Sequence, residues 1–201
     1  HGPASCAPWP AVMDKGRRQA TSACRVAHCP LPVYSISDVD ISPHSNRTGM
    51  ELDIQRLVER LHAARTMTVV AVTGGGSQAI SWLLGVPGAS RTVLEIVVPY
   101  GPASLVEFLG HEPDQSASAQ TAKEMAREAY RRAVYLRESD VPVVGLGCAA
   151  AIATDRPKRG EHRCHVATWS RDAVAWSDVG LVKGLRDRVG EDTIVSKLAL
   201  R

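Results

Sequence analysis

The sequence predicts an α/β fold, a three-layer α/β/α sandwich with a mostly parallel sheet and an antiparallel edge pair. Short β-branched runs at 66–72, 92–98 and 141–147 alternate with helical patterns, and such connections place strands parallel with helices on both faces. Two further strand-like runs, 164–169 and 174–182, follow one another without a helix between them, which is typical of an antiparallel pair. In sheets of this class, ligands bind beyond the carboxyl ends of the strands.

Apolar residues at helical spacing predict the helices that separate these strands. The first helix, which begins at about residue 50, has an apolar face formed by Ile54, Leu57, Val58 and Leu61. Two shorter helices are predicted over 78–84 and 103–109. A long helix follows them, and one of its faces carries mostly small residues: Ala119, Ala122, Met125, Ala126, Ala129, Tyr130 and Ala133. The first two strands therefore have a helix before and after them, as a layered fold requires.

Composition divides the chain into three segments. Residues 1–49 are rich in Ser, Ala, Pro and Arg without regular periodicity, so an extended N-terminal arm is predicted. Residues 50–190 carry the α/β pattern and can bury one sizeable core, which makes a single domain the expectation. Residues 191–201 begin a C-terminal helix whose amphipathic pattern stops at Arg201 without a Gly or Pro cap, so we expect this helix to be truncated.

Charge and cysteine content argue against several classes of function. The 24 basic residues are interleaved with 21 acidic ones, which gives a net charge of +3 and no basic patch for nucleic acid. No apolar run approaches the roughly 20 residues of a membrane-spanning helix. Five cysteines are an odd number without the spacing of a disulfide framework. An intracellular protein is therefore expected, in the cytoplasm or in an organelle such as the mitochondrion.

A glycine loop lies between the first predicted strand and the helix over 78–84. It consists of Thr73, Gly74, Gly75, Gly76 and Ser77. Backbone N–H groups in such a loop, together with the positive end of a helix, can bind a phosphate or a carboxylate. A tight turn without a ligand is the alternative interpretation. The loop matches neither the dinucleotide fingerprint nor the Walker loop, so binding by those routes is not indicated.

A second candidate for phosphate binding is a basic loop at 154–163. Its cationic side chains are Arg156, Lys158, Arg159, His162 and Arg163. Arginines there could bind a phosphate through charge-assisted hydrogen bonds, and a solvated loop without a ligand is the alternative. Tyr100, which ends the second strand, is either part of a nucleotide pocket or an ordinary packed aromatic.

The sequence predicts no metal site and no cofactor. His162 and His165 flank Cys164, but side chains alternate between the faces of a strand, and no second cysteine pair lies nearby. Cys148 lies in an apolar strand end and is predicted to be a buried thiol.

Two sequence segments resemble the C-terminal domain of the CinA competence/damage-inducible family. TGGGSQAISWLLGVPGAS (73–90) and VLEIVVPYGPASLVEFLG (93–110) resemble the loop, helix, turn and strand of that domain, and the likeness spans 68–182. A still closer likeness, over 50–201, is to plant and algal two-part proteins in which such a domain precedes a nucleotidylyltransferase half. No H-x-G-H signature of that transferase occurs in the sequence, so its activity is not assigned to this chain.

The resemblance implies that catalysis has been lost. Family members that act as nicotinamide mononucleotide deamidases carry a serine in the glycine loop and a lysine after the tyrosine. Thr73 stands at the position of the serine and Leu105 at that of the lysine. A hydroxyl nucleophile needs a neighbouring base, and leucine cannot take a proton. A second family loop corresponds to residues 145–150, at the end of the predicted third strand, where the sequence has become apolar.

Three functions follow as hypotheses. The first is a degenerate, catalytically inactive domain that binds a nucleotide or phosphate through 73–77 and 156–163, as a homodimer or as a subunit of a larger protein or assembly. The second is an active amidohydrolase on nicotinamide mononucleotide or a related nucleotide, with Thr73 as nucleophile and Lys158 or His162 as a relocated base. The third is a domain that serves only to dimerise and to position another domain.

Overall fold

The computed structural model describes residues 51–156 and 159–201. The arm predicted for 1–49 and the candidate Lys158 lie outside this part of the chain. The helices are α1 (Leu52–Ala63), α2 (Ser77–Gly85), α3 (Pro102–Leu109), α4 (Ala119–Leu136) and α5 (Arg188–Ala199). The strands are β1 (Met67–Thr73), β2 (Val93–Val97), β3 (Val143–Ala151), β4 (His162–Trp169) and β5 (Val174–Leu181). None of these helices has the length and apolar character needed to cross a membrane.

The strands form one mixed sheet in the order β2-β1-β3-β4-β5. β1 runs parallel to both of its neighbours, with Thr73 opposite Ala149 at the end of its pairing with β3. β4 and β5 are antiparallel to the strands before them. The predicted fold class, a mostly parallel sheet with an antiparallel edge pair between helical layers, is confirmed.

Helices cover the two faces of this sheet and bury a separate apolar core on each. The first core lies under α1, α2 and α5 and includes Val58, Val72, Leu83, Cys148 and Val195. The second lies under α3 and α4 and includes Val69, Leu105, Phe108, Met125 and Ala167. Because both faces are covered, the central strand β1 is buried from Val69 to Thr73 and carries almost continuous apolar sequence.

The long helix α4 packs directly on the backbone of β3. A Cβ atom added at Gly145 would lie 2.1 Å from the Tyr130 nitrogen, and one at Gly147 would lie 2.2 Å from the Ala122 carbonyl oxygen. Small residues on both elements permit this approach, since Ala122 and Ala126 are fully buried in the same contact. The alanine-rich face predicted for this helix is therefore the face that packs on the sheet.

One sequence-based prediction about the third strand is wrong. The strand was expected to end at residue 147, and residues 145–150 were aligned with a loop of the family, but β3 continues through them to Ala151. Their backbone pairs with β1 up to Ala149 and with β4 over the whole length of 145–151, so the apolar run is the buried centre of the sheet. Of these residues, Gly145, Gly147 and Ala149 face α4, and Cys148 and Ala150 lie in the core on the opposite face.

Candidate functional site

A pocket of about 580 Å³ opens beyond the carboxyl ends of β1 and β2, where the topology of the sheet predicts a ligand site. Its lining residues are Val72, Thr73, Gly74, Gly75, Ser77, Gln78, Ile80, Val98, Tyr100, Arg188, Val189 and Asp192. They come from the glycine loop, from α2, from the end of β2 and from α5. Most of the wall is therefore apolar side chain and loop backbone, with one cation and one carboxylate.

The glycine loop is held in a conformation that only glycine adopts without strain. Gly74 and Gly76 have φ angles of 77° and 96°, in the left-handed region. A Cβ atom on Gly74 would lie 1.8 Å from the carbonyl oxygen of Ala150, so the loop passes directly over the end of β3. The loop is fixed both by its turn geometry and by contact with the neighbouring strand.

The N-terminus of α2 is capped by the carboxylate of Asp192, which extends from α5. Its Oδ1 accepts the backbone N–H groups of Gly76 and Ser77 at 2.7 and 3.2 Å. Its Oδ2 accepts the N–H of Gln78 at 3.1 Å and the Ser77 hydroxyl at 2.9 Å. Asp192 is buried, so the anion that this helix terminus favours is a side chain of the protein itself.

Thr73 is buried at the end of β1, and its hydroxyl is bound to a backbone carbonyl oxygen. Its hydroxyl donates to the carbonyl oxygen of Pro99 at 3.0 Å. Among residues 51–156 and 159–201, no lysine or histidine bonds to it. Leu105 is 2% exposed and packs in the core beneath α3 and α4. In this conformation the Thr73 hydroxyl proton points at a carbonyl oxygen, which is not a base that activates a nucleophile.

Arg188 supplies the positive charge of the pocket. Its guanidinium donates to the Ala153 carbonyl oxygen at 2.8 Å and to the Tyr100 hydroxyl at 3.4 Å. Both contacts are exposed, and within the described ranges no carboxylate lies within ion-pair distance of Arg188. Tyr100 is 65% exposed, so it is not the packed aromatic that was one of the two interpretations of its position. Arg188 and Tyr100 together form the rim of the pocket, which is cationic and aromatic.

The basic loop does not join the glycine loop in this pocket. Arg156 and Arg159 are exposed and are not among the lining residues, and Lys158 is outside the described residues. His162 is buried, and its Nδ1 lies 2.8 Å from Oε1 of Glu191. Arg163 donates to the Ala117 carbonyl oxygen at 3.0 Å, which ties β4 to the segment before α4. The structure thus brings together Thr73, the loop and Tyr100, but Arg156, Arg159 and His162 do not line the pocket with them.

Sequence reasoning missed Arg188 and Asp192, which provide the charges of the pocket. A sequence pattern that marks Asp192 was present, because Glu191 and Asp192 stand four and three residues before the apolar Val195. That spacing places both acids on the buried face of the helix, where an acidic side chain needs a specific partner. No comparable pattern marks Arg188, which precedes the apolar part of the helix.

Two buried thiols lie behind the glycine loop. The sulfurs of Cys148 and Cys164 are 3.9 Å apart on adjacent strands, and both cysteines are free. The hydrogen bond between them, together with burial, raises the pKa of Cys148 well above its usual range. The prediction that Cys148 is a buried thiol is confirmed. In the described part of the chain, no group of three or more His, Cys, Asp or Glu residues could hold a metal ion.

Solved structures with the same fold come from the CinA superfamily. A competence/damage inducible protein, CihA, from Agrobacterium tumefaciens is 22% identical, with a TM-score of 0.58 over 74% of this chain and 92% of that one. A competence-damaged protein (CinA) superfamily protein from Escherichia coli is 17% identical, with a TM-score of 0.58 over 73% and 86%. A competence or damage-inducible protein from Enterobacter asburiae is 14% identical, with a TM-score of 0.59 over 73% and 93%.

These likenesses show that the domain has a CinA-like fold, as the two sequence segments indicated. The chain matches no protein-family model and no curated protein. The likeness to plant and algal nucleotidylyltransferase proteins stays a prediction.

Proposed function

We propose that this CinA-like domain is a binding domain that does not hydrolyse amides and takes a small anionic ligand, of the nucleotide class, in the pocket beyond β1 and β2. The observation that carries the loss of catalysis is the hydrogen bond from the Thr73 hydroxyl to the Pro99 carbonyl oxygen. With Leu105 buried in the core, the described residues place no base beside this hydroxyl.

Binding is supported by the composition of the pocket wall. Ile80, Val98 and Val189 offer apolar surface for a ring, and Tyr100 adds an exposed aromatic face. Arg188 stands at the same wall with donors for a phosphate or carboxylate. A ring joined to an anionic group is the chemistry that such a wall complements, and a nucleotide has both parts.

The alternative function is an amidohydrolase in which another residue replaces the missing base. His162 was a candidate, but it is bound to the buried Glu191 and does not line the pocket. Lys158 is outside the described residues. No observation on the described residues favours this alternative, and release of ammonia from nicotinamide mononucleotide tests it.

A titration with nucleotides tests the binding proposal. Purified full-length protein is titrated with nicotinamide mononucleotide and with adenosine monophosphate, and binding is followed by calorimetry and thermal shift. Arg188→Ala is expected to weaken binding at least about tenfold, because a charge-assisted hydrogen bond is lost. Arg186→Ala is the matched control, since this arginine is exposed outside the pocket. No binding to the parent, or equal binding by Arg188→Ala, would overturn the proposal.

We also propose that the domain works as a homodimer or as a subunit of a larger assembly. β5 pairs with β4 along one edge, and among the described residues no strand pairs with its other edge. Trp176 on this strand is 57% exposed, and Val174 is 37% exposed. An exposed strand edge with apolar side chains is prone to pair with another chain. The mass of the purified particle in solution tests this, and a monomer at micromolar concentration would contradict it.

A further inference from the structure

The cap of α2 has a consequence for the ligand. The carboxylate of Asp192 takes up the backbone N–H groups of Gly76, Ser77 and Gln78, the groups by which a loop before a helix would bind a phosphate. We propose that Asp192 is a specificity-determining residue that excludes phosphate from the glycine loop, so that the ligand's anionic group binds at Arg188. This inference rests on the proposed binding function of the pocket.

A phosphate and the Asp192 carboxylate cannot both occupy the N-terminus of α2. Besides the three N–H groups, the carboxylate accepts the hydroxyl of Ser77 at 2.9 Å and faces that of Ser196 at 3.5 Å. The donors at the helix terminus are therefore already used by a negative group. Asp192 is 7% exposed, so solvent screens its charge poorly, and a phosphate entering the loop would meet a like charge at short range.

The positions of the two charged residues on α5 give the ligand an orientation. Arg188 and Asp192 are four residues apart, so they lie on the same side of the helix. They bond to different partners: Asp192 to α2, and Arg188 to Tyr100 and Ala153 at the exposed rim. No ion pair joins the two side chains in the described structure. The pocket is therefore negative at the loop and positive at the rim.

This arrangement defines the ligand class. The molecule carries its phosphate or carboxylate at the rim, against Arg188, and presents an uncharged or cationic ring to the loop. A molecule whose phosphate must reach the glycine loop is excluded.

Inorganic phosphate is the probe that tests the role of Asp192. All proteins carry Arg188→Ala, so that the rim does not contribute and the outcome is independent of the proposed nucleotide binding. Asp192→Ala in this background exposes the three N–H groups, and Ser196→Ala is the control, a truncation in the same helix that leaves the carboxylate in place. Melting temperatures are compared in about 20 mM phosphate and in chloride of equal ionic strength.

We expect phosphate to raise the melting temperature of Asp192→Ala by about 4 °C or more, and that of the control by less than about 1 °C. Should Asp192→Ala fail to fold in chloride, refolding is followed by circular dichroism in both salts, and recovery in phosphate alone is expected. Equal shifts in the two variants, or no folding in either salt, would overturn the role of Asp192. If the protein without substitutions binds no nucleotide, that result counts against the proposed function and not against the role of Asp192.

Discussion

Glu191 and His162 form a buried polar pair, with Oε1 of the carboxylate 2.8 Å from Nδ1 of the imidazole. The other carboxylate oxygen accepts the Ala153 backbone N–H at 2.7 Å. Glu191 is fully buried, so this one side chain joins α5 to the segments that end β3 and begin β4. The pair is an anchor for the helix that also carries Arg188 and Asp192.

Removal of this anchor should destabilise the fold. Glu191→Ala leaves the half-buried Ala153 N–H group and the buried His162 imidazole without this partner, and the free energy of unfolding should fall by about 3–5 kcal/mol. Urea denaturation measures the change. Glu51→Ala is the control, because that carboxylate is exposed in its ion pair with Lys197 and should contribute no more than about 1 kcal/mol. Similar losses of unfolding free energy in both variants would contradict the role of Glu191 as an anchor of α5.

Because α4 packs closely on β3, a single methyl group added between them should strongly reduce the stability of the fold. Gly145→Ala would place Cβ 2.1 Å from the Tyr130 nitrogen, a backbone atom that cannot move without shifting the helix. We expect a loss of at least about 3 kcal/mol in the free energy of unfolding, or no folding. Gly180→Ala in β5 meets no atom within 4 Å and should change stability by no more than about 0.5 kcal/mol.

Two substitutions separate the stability cost of a left-handed backbone from the cost of a steric clash at the glycine loop. Gly74 and Gly110 have nearly equal φ angles, 77° and 79°, but only Gly74 has a neighbour where Cβ would be, 1.8 Å away. Gly110→Ala should cost about 1–2 kcal/mol from the left-handed backbone alone. Gly74→Ala should cost clearly more, and thermal unfolding compares them. Equal losses would mean that the contact with Ala150 does not hold the loop.

The buried thiols of Cys148 and Cys164 should react slowly with reagents that modify cysteine. Burial and the Cys164 contact raise the pKa of Cys148, so at pH 8 its reactive thiolate is scarcer than in an ordinary cysteine. Incubation of native protein with a maleimide, followed by peptide mass mapping, should leave Cys148 and Cys164 unmodified. Both should react once the protein is denatured in urea. Rapid labelling of Cys148 in native protein would contradict the buried position.

Much of the fold could be predicted because each element has a local pattern. The β-branched run before Thr73, the helical spacing around Val58 and the alanine face near Ala126 each identify their element without knowledge of the rest. The end of β3 could not be placed in this way. Its residues are small and apolar, a composition that fits a loop as well as a strand, and only pairing with β1 and β4 decides between them.

The site was less predictable than the fold. Thr73, the glycine loop and Tyr100 were identified because they are close in sequence and match a family segment. Asp192 lies 115 residues from Ser77, so the local pattern that places it on the buried face of its helix does not identify α2 as the helix that it caps. His162 belongs to a cationic run, but its partner Glu191 is distant in sequence, so the run did not indicate that His162 is bound to a buried carboxylate.

Thr73 is not expected to act as a nucleophile in this domain, and ammonia release tests this expectation most directly. Purified full-length protein and its Thr73→Ala variant are incubated with nicotinamide mononucleotide, and free ammonia is measured over time. We predict that neither releases ammonia above the rate of buffer alone, because no base among the described residues is bonded to the Thr73 hydroxyl. Turnover by the parent that disappears in Thr73→Ala would contradict the account.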